Sequence, residues 1–235
     1  MFIIKIAELR ILIENRYDFV RTVCDNYIVD GEDFDFGVSV SDKEMETERR
    51  LSGEQFSEGF IESVCIYRCI ARELPRYNAF VMHCAAIEYD GSAYCFAAKS
   101  GVGKTTHINL WKKIFGDKVS YINGDKPIFR FINGKIYVCG TPWGGKEGLH
   151  SNVIFPLGSI CFIERSATNE INKISSLEAL NKLLNQVFLP DNQEFKIKTI
   201  DFIGELLRQI PIYNLKCNIY DEAALIAFEK MTNKV

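Results

Sequence analysis

One glycine-rich segment, flanked by two apolar patterns, constrains the fold of this chain more than any other feature. The sequence reads Ser-Gly-Val-Gly-Lys-Thr at residues 100–105. An alternating pattern typical of a strand precedes it at residues 92–96, and a helical pattern follows it at residues 108–115. Strand, glycine-rich loop, Gly-Lys-Thr and helix in this order are the sequence context of a P-loop, which binds nucleotide phosphates.

The chemistry of phosphate binding explains the residue types in this segment. Gly101 and Gly103 allow the backbone to turn so that its N–H groups point inward and form a cradle for an anion. The helix that begins at Lys104 directs its positive end at the same place. The Lys104 side chain can reach the outer phosphates, and the Thr105 hydroxyl can ligate Mg²⁺.

The segment departs from the full P-loop pattern at one position. That pattern has glycine six residues before the lysine, where this chain has Ala98. The alternative is a glycine-rich turn with an incidental lysine, but loop, lysine, hydroxyl and flanking elements all agree with a P-loop. We therefore predict that the segment binds ATP and Mg²⁺. The predicted nucleotide-binding residues are Ala98, Lys99, Ser100, Gly101, Val102, Gly103, Lys104, Thr105 and Thr106.

Length and charge limit the class of protein. The chain has 235 residues, which suits one domain or one domain with a small lobe. Its formal net charge of -3 gives no basic excess, so nucleic acid is not an expected partner. No run of eighteen apolar residues is present, and the apolar start at residues 1–6 lacks the features of a signal peptide. We expect no membrane association either.

Eight cysteines are scattered along the chain without a Cys-x-x-Cys pair. Cys65 and Cys69 lie one helical turn apart, but no histidine or second pair is spaced to complete a zinc site. Because most of the cysteines lie within apolar runs, we expect buried, reduced thiols. Unpaired thiols together with a P-loop predict a cytoplasmic protein.

Hydrophobic periodicity predicts the elements that precede the P-loop. Residues 55–74 have a broad apolar face at helical spacing, and Pro75 ends the pattern. Residues 79–88 are typical of one buried strand, and Asp90 and Gly91 predict a hairpin turn into the P-loop strand. The P-loop strand would then have an antiparallel neighbour, whereas Rossmann-like P-loop enzymes have parallel strands.

Further residues are candidates for chemistry beside the phosphates. Asp125 follows the strand after the P-loop helix, where a Mg²⁺ ligand or a catalytic base belongs, although it also suits a turn. Glu147 lies in a glycine-rich loop at residues 140–148, either near phosphate or as a solvated charge, and Trp143 there is an anchor or a lid. His83 lies on the neighbouring strand, either facing the phosphates or packed in the core.

Taken together, these motifs resemble the C-terminal domain of HPr kinase/phosphorylase, within the phosphoenolpyruvate-carboxykinase-like superfamily. The resemblance rests on the Gly-Lys-Thr loop, the histidine of the preceding hairpin and the run Asn-Gly-Asp-Lys-Pro at residues 123–127. It covers residues 79–165. The layout is most similar to a compact bacterial group whose members include kinases that modify precursor peptides.

The resemblance implies an α+β fold with a β-rich P-loop core flanked by helices. We divide the chain into a small N-terminal α/β portion at residues 1–75 and a kinase core at residues 76–235. The N-terminal portion does not resemble the N-terminal domain of full-length HPr kinases. The two parts are expected to form one compact unit.

The resemblance also implies roles for individual residues. His83 stands fifteen residues before Ala98, where the family has a catalytic histidine. Asp125 matches the second aspartate of the family's Asp-Asp pair, the general base, while Gly124 occupies the place of the first. Glu147 is the nearest match by order to the family's metal-binding glutamate. The predicted catalytic residues are His83, Lys104 and Asp125, and the predicted Mg²⁺ ligands are Thr105, Asp125 and Glu147.

These features predict an ATP- and Mg²⁺-dependent kinase that transfers the γ-phosphoryl group to a serine hydroxyl of a protein or peptide. One alternative is a nucleotide-binding regulatory or peptide-recognition module without transfer, which the departures at Ala98 and Gly124 leave open. Another is a carboxykinase-type enzyme for a small acid, a class that is typically much longer. The family's late catalytic arginine has only a weak match, Arg165. The sequence leaves open the acceptor, the reverse phosphorylase reaction and the formation of homo-oligomers.

Overall fold

The computed structural model describes residues 1–53 and 55–232, and this part of the chain contains seven α-helices and thirteen β-strands in a mixed α+β arrangement. The strands are β1 (Phe2–Ile6), β2 (Leu9–Glu14), β3 (Ile28–Val29), β4 (Phe36–Ser39), β5 (Ala79–Val81), β6 (Cys84–Tyr89), β7 (Ser92–Ala97), β8 (Val119–Asn123), β9 (Ile128–Ile132), β10 (Lys135–Cys139), β11 (Ile154–Arg165), β12 (Glu170–Lys173) and β13 (Ile212–Cys217). The α-helices are α1 (Asp18–Val23), α2 (Asp42–Ser52), α3 (Glu58–Glu73), α4 (Lys104–Phe115), α5 (Ser176–Leu184), α6 (Gln193–Gln209) and α7 (Asp221–Thr232).

The N-terminal portion contains a four-stranded sheet with the strand order β3-β1-β2-β4. Strands β1 and β2 form an antiparallel hairpin, and its two turn residues, Ala7 and Glu8, both have positive φ, as a tight hairpin turn requires. Alternate residues of the two strands, such as Ile4, Ile11 and Ile13, are fully buried. The alternation places them on one face of the sheet, where they form part of the core.

Side-chain caps define the ends of α2 and α3. Ser41 and Glu44 form a reciprocal capping box at the start of α2. Ser57 accepts a hydrogen bond from the Phe60 N–H at the start of α3, and Pro75 follows the end of this helix. The helix predicted over residues 55–74 is therefore confirmed, with a later start at its cap.

The other nine strands form a second, larger sheet. Its main path runs β5-β9-β10-β11-β7-β6-β8, and the long strand β11 pairs with β10 through its first residues and with β13 through its last. Strand β7, which leads into the Gly-Lys-Thr segment, is parallel to β11 and antiparallel to β6. Asp90 and Gly91 both have positive φ and form the turn between β6 and β7. The predicted antiparallel neighbour of β7 is therefore present.

The prediction of a single strand over residues 79–88 is wrong. The segment divides into β5 and β6 because β5 pairs with β9, whereas β6 pairs with β7 and β8. Between them, Met82 forms a bridge with Val187, and the His83 N–H donates to the Gln186 carbonyl at 2.8 Å. His83 therefore lies at a break between two strands and not on the core face of one.

Alternation along the central strands gives the larger sheet two apolar faces. On β7, Cys95 belongs to the core shared with α5 and α6, and Phe96 belongs to the core shared with α4 and α7. Trp111 of α4 is fully buried on the second face, where it packs against Tyr94 and Phe228. A layer of aromatic side chains therefore fixes α4 against the sheet.

The two sheets share a hydrophobic cluster. Residues of the small sheet and α3, among them Ile4, Ile61 and Ile66, pack with Ala79, Val81 and Ile128 of the larger sheet. The expectation of one compact unit stays a prediction. The division of the chain between residues 75 and 76 stays a prediction.

The cysteines confirm the expectation of unpaired thiols. All eight are free, and seven of them are buried. Among the helices of residues 1–53 and 55–232, none has an apolar stretch that would reach across a bilayer.

His107, in the first turn of α4, is a core residue. Its side chain is buried, its ring centroid lies 4.6 Å from that of Phe96, and its Nε2 accepts a hydrogen bond from Trp111 Nε1 at 3.3 Å. Burial lowers the pKa of His107 to about 3, so the imidazole is neutral in the folded protein at neutral pH.

The buried imidazole predicts a pH dependence of stability. An unfolded histidine binds a proton near pH 6.5, whereas His107 in the folded protein does so only near pH 3, so between these values acid favours unfolding. Each such group contributes a slope of up to about 1.4 kcal/mol per pH unit. We expect His107→Gln to flatten the fall of the unfolding free energy between neutral pH and pH about 4, measured by urea denaturation. His150→Gln is the matched control and should change the slope less, because His150 is only half-buried. Identical slopes for His107→Gln and wild type would contradict the prediction.

Candidate functional site

The glycine-lysine loop (residues 98–103) connects β7 to α4. Gly101 and Gly103 have φ values of 78° and 126°, which side-chain-bearing residues rarely adopt. A Cβ at either position would meet no atom within 4 Å, so backbone conformation and not crowding requires glycine there. Gly103 is the N-cap of α4 and has no side chain, so the first N–H groups of the helix remain available to a ligand.

Arg165, at the end of β11, holds this loop from outside. Its Nε donates to the Val102 carbonyl at 3.0 Å, and its Nη2 donates to the Gly101 carbonyl at 2.5 Å. The guanidinium thus binds two backbone carbonyls of the loop. Arg165, which the sequence matches only weakly to a late catalytic arginine, therefore contacts the backbone of the glycine-lysine loop.

Lys104 places a buried ammonium group at the inner end of the loop. The residue is 8% exposed, and its Nζ lies 2.9 Å from His83 Nε2 and 3.4 Å from the Ala98 carbonyl. Burial lowers the pKa of Lys104, while the charge of Asp125 opposes this effect. Among the described residues, the atoms within hydrogen-bond distance of this ammonium are an imidazole nitrogen and a carbonyl oxygen and not a carboxylate. The site therefore has the chemistry to accept an anion such as a nucleotide phosphate.

Asp125 lies between His83 and Lys126. One carboxylate oxygen, Oδ1, is 3.1 Å from His83 Nε2, and the other, Oδ2, is 2.5 Å from Lys126 Nζ. Burial alone would raise the pKa of Asp125, but the hydrogen bond from His83 and the charge of Lys126 outweigh it and lower the pKa to about 2. The carboxylate is therefore ionised at neutral pH, with both oxygens oriented.

His83 Nε2 faces two partners at once. The same nitrogen lies within hydrogen-bond distance of Lys104 Nζ and of Asp125 Oδ1. A neutral imidazole nitrogen either accepts or donates, so it can accept from the lysine or donate to the aspartate but cannot do both. The three predicted catalytic side chains are thus brought together and joined through one atom.

The turn that carries Asp125 depends on a residue to which the sequence assigned no role. Asn123 is fully buried, and its Oδ1 accepts hydrogen bonds from the N–H groups of Asp125 at 2.8 Å and Lys126 at 2.6 Å. Its Nδ2 donates to the carbonyl of Thr141 at 2.9 Å and to its hydroxyl at 3.0 Å. The run Asn-Gly-Asp signals a turn, but the tie to Thr141 has no local signal.

The loop over residues 140–149, here called the covering loop, packs directly on this turn. A Cβ built on Gly124 would lie 2.6 Å from the Gly144 carbonyl oxygen, so the place of the family's first aspartate has no room for a side chain. On the loop side, a Cβ at Gly145 would lie 2.9 Å from the Cβ of Asp125. Both glycines are therefore required by the close approach of the covering loop to Asp125.

The predicted Mg²⁺ ligands do not form a preassembled cluster. Thr105 is half-buried at the start of α4, and Glu147 is exposed on the covering loop. Within the described ranges, no group of three or more His, Cys, Asp or Glu side chains could hold a metal ion. Mg²⁺ in nucleotide sites commonly has one or two protein ligands and completes its shell with phosphate and water. The Thr105 hydroxyl and the Asp125 carboxylate fit that pattern.

The other predicted nucleotide-binding residues belong to the glycine-lysine loop or to the first turn of α4. Lys99, Ser100 and Thr106 are exposed, Val102 is half-buried, and Ala98 is buried with its carbonyl on Lys104. Ala98 has no positive φ, which explains why alanine is tolerated where the full pattern has glycine.

Comparison with solved structures finds similar proteins, among them the Hpr(Ser) kinase/phosphatase from Coxiella burnetii. The two chains are 8% identical, and the superposition has a TM-score of 0.35 and covers 62% of this chain and 90% of that one. No family model matches the chain, and no curated protein matches it. A TM-score this low carries no argument about activity.

The contact between the covering loop and Asp125 can be tested with two glycines of the same loop. Gly145 and Gly148 both have positive φ, but only Gly145 would place a Cβ against Asp125. We expect Gly148→Ala to cost roughly 1–2 kcal/mol of unfolding free energy for its backbone conformation. Gly145→Ala should cost about 1–3 kcal/mol more because it also overpacks the turn. Chemical denaturation of the two variants measures the difference, and equal losses would argue against the close contact.

Proposed function

We propose that this protein is an ATP- and Mg²⁺-dependent phosphotransferase of HPr-kinase-like type, which transfers the γ-phosphoryl group to a serine hydroxyl of a protein or peptide. The observation that carries the proposal is the contact of His83 Nε2 with Lys104 Nζ at 2.9 Å and with Asp125 Oδ1 at 3.1 Å. It joins the lysine of a glycine-rich loop to an ionised carboxylate. Transfer to a hydroxyl needs both a cation for the phosphates and an acceptor for the proton.

The proposed nucleotide site uses the glycine-lysine loop and the start of α4. Three features favour phosphate binding at this site. They are the open space around Gly101 and Gly103, the uncapped N–H groups at the start of α4 and the buried ammonium of Lys104. Positive charge at a helix start is complementary to the triphosphate. Arg165 supports this arrangement because it holds the carbonyls of Gly101 and Val102.

In the proposed reaction, the serine oxygen attacks the γ-phosphorus. A new P–O bond forms while the bond to the oxygen between the β- and γ-phosphates breaks, and ADP leaves with that electron pair. The serine proton passes to the carboxylate of Asp125, which His83 and Lys126 keep ionised and oriented. Lys104 and the loop N–H groups stabilise negative charge on the transferred group.

Thr105, Asp125 and Glu147 are the proposed protein contacts of Mg²⁺. The ion would neutralise charge on the β- and γ-phosphates. Both Asp125 oxygens already contact nitrogen atoms, and Glu147 is exposed. The protein alone thus offers few oxygen ligands, which agrees with an ion that enters together with the nucleotide.

A nucleotide-binding regulatory module without transfer is the second candidate. The observation in its favour is the ion pair of Asp125 with Lys126 at 2.5 Å, which competes with a serine hydroxyl for the same carboxylate. Formation of ADP that depends on an added serine peptide separates the two functions, because a binding module gives no peptide-dependent turnover.

Nucleotide binding should depend on Lys104. We expect Lys104→Ala to weaken Mg-ATP binding sharply in calorimetry, because it removes the buried cation beside the loop. Lys113→Ala is the matched control: the residue lies on the same helix, but it is exposed and its Nζ pairs with Asp221 at 2.7 Å. If wild type and Lys104→Ala bind Mg-ATP equally well, the loop is not a P-loop.

Phosphoryl transfer should depend on Asp125 more than binding does. Asp125→Asn keeps the size of the side chain but lowers its proton affinity, so we expect transfer to fall roughly 10²–10⁴-fold while Mg-ATP still binds. Single-turnover kinetics with labelled ATP, over a serine peptide library or cell extract, gives the rate. Asp117→Asn, at an exposed position, is the control. Recovery of the Asn variant at high Mg²⁺ would assign Asp125 to the metal instead of the proton, and an unchanged rate would leave it as a turn residue.

A further inference from the structure

We infer that the N-terminal portion is part of the catalytic apparatus: Ser63 and Tyr67 of α3 hold Trp143, and through the covering loop they position Asp125. The inference rests on the proposed function, because it gives these residues a role in positioning the proton acceptor. It assigns a purpose to a part of the chain for which the motifs offer none.

The first step is the contact between α3 and the covering loop. Trp143 Nε1 donates to both the carbonyl and the hydroxyl oxygen of Ser63, each at 3.1 Å. The Trp143 ring packs against the ring of Tyr67, with centroids 5.4 Å apart and an interplanar angle of 51°. Ser63 is 3% exposed and Tyr67 8% exposed, so water competes little for these contacts. The tryptophan is therefore an anchor of the loop and not a lid.

The second step leads from Trp143 to the catalytic turn. The next two residues of the loop are Gly144, whose carbonyl packs on Gly124, and Gly145, which packs on Asp125. The Gly124 N–H also donates to the Leu149 carbonyl at 2.7 Å, so the far end of the loop holds the same turn. Displacement of Trp143 would therefore move the backbone that confines Asp125.

The N-terminal portion also holds the chain that follows the covering loop. The Tyr27 hydroxyl lies 3.1 Å from His150 Nδ1, and Asn152 Nδ2 donates to the Asn26 carbonyl at 3.3 Å. Tyr27 is fully buried in the core of the small sheet. Both ends of the covering loop are thus fixed to residues before position 76, whereas the loop itself lies over Asp125.

The Tyr67 phenol lies close enough to Asp125 for the carboxylate charge to affect its pKa. Burial raises the pKa of the Tyr67 phenol, and the neighbouring Asp125 carboxylate raises it further. The phenol is therefore neutral at neutral pH, and it introduces no charge beside the proton acceptor.

In this arrangement, phosphoryl transfer should depend on the contact between α3 and the covering loop, whereas nucleotide binding should not. The glycine-lysine loop is held by β7, α4 and Arg165, none of which belongs to the N-terminal portion. Loosening the α3 contact should therefore lower kcat through misplaced Asp125 and leave the affinity for Mg-ATP in place. A misplacement of about 1 Å at a reacting group can cost up to about 10²-fold in rate.

Two tyrosines provide a matched test in the full chain. Tyr67→Leu removes the ring that packs on Trp143, whereas Tyr77→Leu removes a ring that stacks on Phe36 of the small sheet at 5.3 Å. Hydrogen exchange of the Gly124, Asp125 and Lys126 amides, followed by NMR, reports how often the hydrogen bonds of the turn open, without any substrate. We expect exchange there to accelerate by roughly tenfold or more in Tyr67→Leu and to stay at the wild-type rate in Tyr77→Leu.

Kinetics completes the test. Tyr67→Leu should lower the rate of phosphoryl transfer by about 10-fold to 10²-fold at unchanged Mg-ATP affinity. Trp143→Phe removes the N–H donor but keeps a ring beside Tyr67. It should therefore accelerate amide exchange and slow phosphoryl transfer as Tyr67→Leu does, but to a smaller extent. This variant replaces Tyr67→Leu in the test if Tyr67→Leu does not fold. Equal exchange rates in the Tyr67 and Tyr77 variants would overturn the inference, as would accelerated exchange with an unchanged transfer rate. If wild type itself transfers no phosphate, the proposed function fails, while the exchange comparison still decides whether α3 positions the turn.

Discussion

The register of the hairpin formed by β6 and β7 is the constraint on which the site depends. Cys84 pairs with Ala97, so His83 and Ala98 leave the sheet side by side at the same end. This register brings the imidazole next to the lysine that begins α4. A slip by one residue would turn every side chain of β6 to the opposite face and exchange the two apolar cores. The two-residue turn of the hairpin therefore fixes both the packing of the sheet and the geometry of the site.

Charge burial explains why the site is organised as it is. Asp125 has a nitrogen partner on each carboxylate oxygen, whereas the buried ammonium of Lys104 contacts an imidazole and a carbonyl. A buried charge is costly unless it is paired, and an anionic ligand at Lys104 would supply the counter-ion in the proposed function. The contact of both groups with His83 links the binding of an anion at Lys104 to the hydrogen bonding of Asp125. In the proposed function, nucleotide binding and proton acceptance would therefore both involve His83 Nε2.

The covering loop lies between α3 and the turn that carries Asp125. It contacts the turn at residues 123–126 through Gly144 and Gly145, and it contacts α3 through Trp143. Contacts this close leave little freedom, because packed interiors do not deform continuously. The same packing leaves no room for a side chain at Gly124, so a second aspartate there would require a different path of the covering loop. The close approach of the covering loop therefore accounts for the glycine at position 124, where the HPr kinase motif has aspartate. It also carries the role inferred for the N-terminal portion.

The sequence by itself determined the local elements. The strand, loop and helix around Lys104, the hairpin turn at Asp90 and the capping box at Ser41 all rest on signals within a few residues, which act through backbone conformation and adjacent hydrogen bonds. The motif order also selected His83 and Asp125, which the fold brings into contact. Tertiary structure alone decided the break at His83, the use of Arg165 on the loop carbonyls and the reach of α3 to Trp143. These features depend on side chains that are distant in the chain and meet only when both sheets are packed, so no local pattern can encode them.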